Sequence, residues 1–152
     1  MKKIKAYYLL FPASMIFFVI SFLVYYKMTF DVNIYDTYYV ISEVDFYLII
    51  SFFILFLGLI YFILDKFKII LFSVLKKIHI FGTLFLFSLI IYFNYYNLLE
   101  YQSNEFLFDK PDYNKYMIIS IFALITLQFL FIINIVVSLI KKMKSFRASR
   151  FK

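Results

Sequence analysis

Cysteine is absent from this chain, and histidine occurs once, at His79. The first absence excludes a disulfide framework, a thiolate metal site and a thiol nucleophile. The second excludes clustered imidazole ligation within one chain. Tryptophan is missing too, and with only two glycines and two prolines no Gly/Ser-rich linker divides the sequence. Acidic residues are scarce, 9 against 16 Lys and Arg. Apolar residues fill the space: 65% of the chain is hydrophobic and 25% aromatic, where soluble domains use roughly 45–50% apolar residues. So little polar surface excludes a soluble globular domain.

Four apolar runs, at Ala6–Tyr26, Phe46–Leu64, Ile78–Leu99 and Tyr116–Ile140, match the roughly 20 helical residues that cross a hydrocarbon core of about 30 Å. A helix satisfies all its backbone groups internally, which lets it span lipid. The expected fold is therefore all-α: one integral membrane four-helix bundle over residues 1–152, without repeat or separate soluble domain. A cleaved signal peptide fits the first run poorly, because the apolar stretch is too long and no A-x-A-like cleavage site follows. Residues 27–45 and 100–115 are expected as external loops, 65–77 as an internal loop and 141–152 as a basic internal tail.

Charge sets the expected orientation. With both termini inside, 13 basic residues lie on the inner face and only Lys27, Lys110 and Lys115 outside. Asp65 is the one inner carboxylate, so the net +7 divides into about +12 inside and −5 outside. That asymmetry predicts an N-in, C-in protein of the bacterial cytoplasmic membrane. The basic ending KKMKSFRASRFK reads as a lipid-facing juxtamembrane segment rather than a nucleic-acid patch. Tyrosines bracketing the runs, such as Tyr7, Tyr8, Tyr25 and Tyr26 on the first, suit the headgroup level.

Small and polar residues predict how the helices meet. Ser14 and Ser21 are seven apart on the first helix, as are Ser51 and Gly58 on the second, so each pair shares a face suited to close packing. On the third helix, His79, Gly82, Thr83, Asn94 and Asn97 fall within one arc of about 120°. Ser120, Gln128, Asn134 and Ser138 do the same on the fourth. Amides facing hydrocarbon are costly, so these stripes are expected to face each other or a partner. His79, beside Lys76 and Lys77, is expected as a satisfied interfacial histidine rather than a haem or quinone ligand. In the acidic stretch Phe30–Leu48, Asp36, Glu43 and Asp45 are candidate ligands for calcium or magnesium. A solvated loop is the plainer expectation, with Glu43 and Asp45 favouring a helix N-terminus.

The same stretch carries a resemblance. Val32-Asn33-Ile34-Tyr35-Asp36-Thr37-Tyr38-Tyr39-Val40-Ile41 resembles the H-D-T-Y-[FY]-V-V segment before the tenth helix of haem–copper oxidase subunit I. Lys77-Ile78-His79-Ile80 is similar to the K-I-H-F that begins that family's eleventh helix. Pro111-Asp112-Tyr113, Tyr116 and Ile118-Ile119-Ser120 resemble the P-D-x-Y-x-x-W-N-x-I-S run leading into the twelfth, with one residue deleted. The likeness covers roughly residues 30 to 140, in order. It implies that Asp36, Thr37 and Tyr38 serve as an external-loop scaffold, with Asp36 and Thr37 capping or turning the chain before a helix.

The family's functional positions do not carry over. Its two haem-ligating histidines fall on Glu43 and Asp45, neither of which replaces neutral imidazole on haem iron. The histidine of its magnesium site falls on Tyr35, and its propionate-binding arginine pair falls near Glu105 and Phe106. The 152 residues contain no counterpart of the earlier helices bearing its copper ligands. The expectation is a non-catalytic protein without cofactor, an oxidase-like accessory or assembly subunit. Its expected partners are the lipid bilayer and other membrane subunits or a second copy, with no nucleic acid. A small oligomeric channel or transporter is the first alternative, and a redox protein with an intersubunit haem or a quinone the second.

Overall fold

The computed structural model describes residues 5–24, 29–34, 36–103 and 112–150, with backbone alone at 30–33, 97–103 and 145–150. Its elements run α1 (Tyr7–Leu23), β1 (Thr29–Ile34), β2 (Thr37–Ser42), α2 (Glu43–Lys66), α3 (Ser73–Ser103) and α4 (Tyr113–Arg150). The four helices are as expected. Three of them, over Glu43–Lys66, Ser73–Tyr96 and Tyr113–Lys144, are long and apolar enough to cross a membrane. The 17 residues of α1 rise about 25 Å, short of a full crossing.

Two loop expectations are corrected. The segment expected as an external loop contains an antiparallel hairpin, with β1 paired to β2 from Thr29↔Ser42 to Ile34↔Thr37. The fold is therefore helical with one added hairpin. Its strands, TFDVNI and TYYVIS, are rich in the β-branched and aromatic residues that favour extended backbone. Asp36 and Thr37 accordingly stand at the hairpin's tip, and the helix cap comes six residues later. There the Ser42 hydroxyl accepts the Asp45 backbone N–H at 3.1 Å and donates to Asp45 Oδ2 at 2.6 Å, so α2 begins three residues before the apolar run.

The connection between α2 and α3 is also shorter than the loop expected there, because α2 continues to Lys66 and α3 already begins at Ser73. Past the end of α2, Lys68 N–H bonds Asp65 O and Ile69 N–H bonds Leu64 O, both at 2.9 Å. These are the paired bonds of a Schellman ending, here with a lysine at φ 52° where glycine is usual. The basic tail is helical as far as Arg150, since lysine and arginine are good helix formers and neither Gly nor Pro interrupts them.

Successive helices run antiparallel, with α1 packed along α2 and α3 along α4. Ser51 Oγ donates to Ser14 O at 2.9 Å, and a Cβ on Gly58 would lie 2.8 Å from the Phe11 ring. The small residues thus let two backbones approach, as their spacing predicts. Ser21 instead bonds within its own helix, to Phe18 O at 2.6 Å. The two helix pairs meet through α2, where the Phe53 and Phe87 rings pack edge to face at 5.8 Å. Leu10, Ile50, Ile54 and Met117 are fully enclosed. At the lysine-rich end Lys5 pairs with Asp65 at 2.9 Å, and that carboxylate holds the ammonium above the ordinary lysine range.

The close approach at Gly58 has a measurable consequence. Gly58→Ile forces Phe11 aside and is expected to destabilise the α1–α2 pair by about 1–3 kcal/mol. Gly82→Ala meets only the far end of the Leu127 side chain and should be close to neutral. Thermal unfolding of both variants in the same detergent checks the contrast, and equal losses contradict it.

Candidate functional site: a polar seam between helices

The predicted polar faces of α3 and α4 meet, and α2 joins them. His79 is 2% exposed and lies six residues into α3, about 9 Å along the helix from its start. It is therefore buried between helices. Its Nδ1 stands 2.9 Å from Tyr61 Oη on α2, and its Nε2 stands 2.9 Å from Gln128 Oε1 on α4. A carbonyl oxygen only accepts, so Nε2 carries the proton and the Tyr61 hydroxyl donates to Nδ1. That tautomer is assigned from the partners' chemistry. Gln128 Nε2 continues the chain to Thr83 Oγ1 at 3.5 Å, a long contact that fixes which way the amide faces.

An aromatic wall closes this seam. Phe131 stacks on the imidazole, centroids 4.1 Å apart and planes within 13°, and also packs on Tyr61 at 4.9 Å. Both ring nitrogens and one ring face of the only histidine are thus occupied by residues of this chain. The arrangement orients and registers helices, and it offers no open coordination position.

The remaining predicted residues divide between the two ends of the bundle. Towards the lysine-rich end, Asn134 Oδ1 accepts the Phe72 backbone N–H at 3.1 Å, tying α4 to the residue before α3. Asn134 Nδ2 and Ser138 Oγ, one turn apart on α4, are buried with no hydrogen-bond partner among the described residues. At the hairpin end, Asn94 Nδ2 reaches Glu43 Oε1 at 3.4 Å, while Asn94 Oδ1 has no partner among them. Ser120 bonds back to Tyr116 O at 2.8 Å within α4. The Asn97 side chain lies outside the described residues.

Asp36, Glu43 and Asp45 do not converge. Among the described residues no three His, Asp or Glu side chains come together as metal ligands. Glu43 is turned to Asn94 and Asp45 to Ser42, while Asp36 is exposed at the hairpin tip with Thr37 and Tyr38 beside it. Lys77-Ile78-His79-Ile80 falls inside α3, not at its start, and Tyr113 opens α4. Tyr35, Glu105, Phe106 and Pro111 lie outside the described residues.

Three partners were not foreseen from sequence: Tyr61, Phe131 and Glu43. Tyr61 sits in an unbroken apolar run and Phe131 among similar residues, so neither carries a local signal. No family model, curated protein or solved structure is significantly similar to this chain.

Tyr61→Phe leaves a buried imidazole nitrogen without a partner and is expected to lower stability by about 1–3 kcal/mol. Detergent unfolding should show a clear drop for this variant. Tyr47→Phe, which touches no part of the seam, should show almost none.

Proposed function

We propose that this protein is a non-catalytic subunit of the bacterial cytoplasmic membrane, accessory to a larger membrane complex or to its assembly. In this reading α2, α3 and α4 span the bilayer, α1 packs on α2 within it, both termini are cytoplasmic and the hairpin lies outside. The order of the three sequence stretches that resemble the last helices of haem–copper oxidase subunit I supports this reading, with the metal-binding positions replaced.

One observation carries the proposal: the polar groups of α3 and α4 face inward to each other, while the outward faces are apolar. Only 17% of the apolar window of α4 is covered by the rest of the chain, against 39% for α2. The uncovered face suits lipid or a neighbouring helix and not a water path, which needs polar groups free to line it. Beyond the helices, Tyr38, Tyr39 and Val40 are 66%, 53% and 59% exposed on the hairpin. Such a surface suits contact with another protein.

Extraction of the tagged protein from its native membrane in mild detergent tests this reading. Stoichiometric co-purifying membrane chains and no Soret band are expected. A colourless monomer with no companion contradicts the subunit role, and a Soret band contradicts the absence of haem.

The orientation is tested separately. Because the chain has no native cysteine, Thr37→Cys and Lys144→Cys can each be labelled alone. An impermeant maleimide should label the Thr37→Cys variant in intact cells and the Lys144→Cys variant only after lysis; the opposite pattern reverses the topology.

A further inference from the structure

Glu43 is the first residue of α2, because Ser42 caps that helix and Asp45 completes the cap. From there Glu43 reaches α3, where Asn94 Nδ2 donates to Glu43 Oε1 at 3.4 Å. Asn94 is 3% exposed and lies about 22 Å along α3 from His79. Its other arm, Oδ1, is buried with no hydrogen-bond partner among the described residues, although a buried acceptor is ordinarily satisfied. The contact that does form is long, since a charge-assisted bond to a carboxylate typically measures about 2.7–2.9 Å. Turning the amide over would set Asn94 Oδ1 against Glu43 Oε1, two acceptors facing each other. In either orientation the pair lacks one donor.

No cation of the chain supplies it. Among the described residues no lysine or arginine pairs with Glu43. The charged side chains described at this end are Asp36 on the hairpin, Asp45 on α2, and Asp112 and Lys115 at the start of α4, all exposed. Tyr47, one turn along α2, is the titratable neighbour that the charge of Glu43 reaches, and α3 turns Asn94 towards it. The positive end of α2 favours a carboxylate there, but the exposed Asp45 already provides one. A partly buried carboxylate without a cation, beside a buried oxygen without a donor, costs more than that dipole returns. A metal ion would need room beside Asn94 Oδ1, which the chain encloses. A proton on Glu43 needs none.

We propose that Glu43 and Asn94 form a proton-binding site at the hairpin end of the bundle. The carboxyl takes up one proton from the adjoining solution and its Oε2–H donates to Asn94 Oδ1, while Asn94 Nδ2 donates to Oε1. A carboxylic acid and a primary amide each offer one donor and one acceptor on facing edges, so the closed pair leaves neither group unmet. Glu43 is only partly buried, which keeps it within reach of exchange with solvent. The tie between α2 and α3 is thus tighter in acid than in alkali. It is separate from the His79 seam and does not depend on which assembly the protein joins.

Glu43→Gln tests the site, because an amide has the same donor and acceptor without needing a proton. The folded form gains the proton, so its stability is greatest in acid and is lost as pH rises, with the unfolding equilibrium changing by up to about tenfold per pH unit for one proton. Detergent unfolding of the full chain from pH 4 to 9 should show Glu43→Gln matching the wild type in acid and exceeding it in alkali; the difference between the two chains removes the titration of every other group. Infrared difference spectra should show a carboxylic-acid carbonyl band that Glu43→Gln abolishes, Asn94→Ala shifts and Asp45→Asn leaves in place.

Parallel pH profiles for wild type and Glu43→Gln, or a variant less stable than wild type in alkali, would overturn the site. So would an acid band unmoved by Asn94→Ala. Stability that follows sodium concentration at fixed pH, and is lost in Glu43→Gln, would show a bound metal ion in place of the proton and overturn it as well.

Discussion

Gln128 reaches from α4 to both His79 and Thr83 of α3, and through the imidazole to Tyr61 of α2. Everything else about the relative placement of these helices depends on that chain. Apolar side chains pack against apolar side chains in many registers, and in lipid there is no water to penalise a slip of one turn. A buried donor or acceptor has far fewer satisfactory arrangements. With Tyr61 as donor, His79 as relay and the Gln128 amide as both acceptor and donor, only one register satisfies all of them. The stacking of Phe131 on the imidazole then fixes the rotation of α4 as well as its height.

Further ties along the bundle show the same logic. Ser51 Oγ on Ser14 O registers α1 against α2, and Asn134 on the Phe72 N–H registers α4 against the start of α3. Each is a single polar contact in an otherwise apolar interface, placed where a small residue or a helix end frees a backbone group. The helices supply the span, and these few bonds decide which of the possible bundles forms.

How much of this was legible in the sequence follows from the range of each interaction. Long apolar runs are local, so the four helices could be read directly, and the 100° step of a helix sufficed to put His79, Thr83 and Asn94 on one face. Helix ends were less legible, because Ser42 caps α2 from inside an acidic stretch whose composition suggested a solvated loop. The hairpin is hidden for the same reason, since the acidic residues give the stretch the composition of a loop while the β-branched and aromatic residues between them favour extended backbone. Partner identity was not legible at all: nothing near Tyr61 distinguishes it from the other tyrosines of this chain, and 18 residues separate it from His79. Which residues would be polar and inward was a property of one helix, but which would touch was a property of three.

The two ends of the bundle differ in how their charges are met. At the hairpin end, the acidic side chains near α2 have local partners, Ser42 for Asp45 and Asn94 for Glu43. At the opposite end Lys5 and Asp65 neutralise each other, while Lys68, Lys141 and Lys142 stand exposed at the close of one helix pair. Exposed charges at a helix end are screened by solvent, whereas the buried imidazole of the seam depends on partners from two other helices, which is why the polar pairing that fixes the bundle is concentrated at His79 and not at the lysine-rich end.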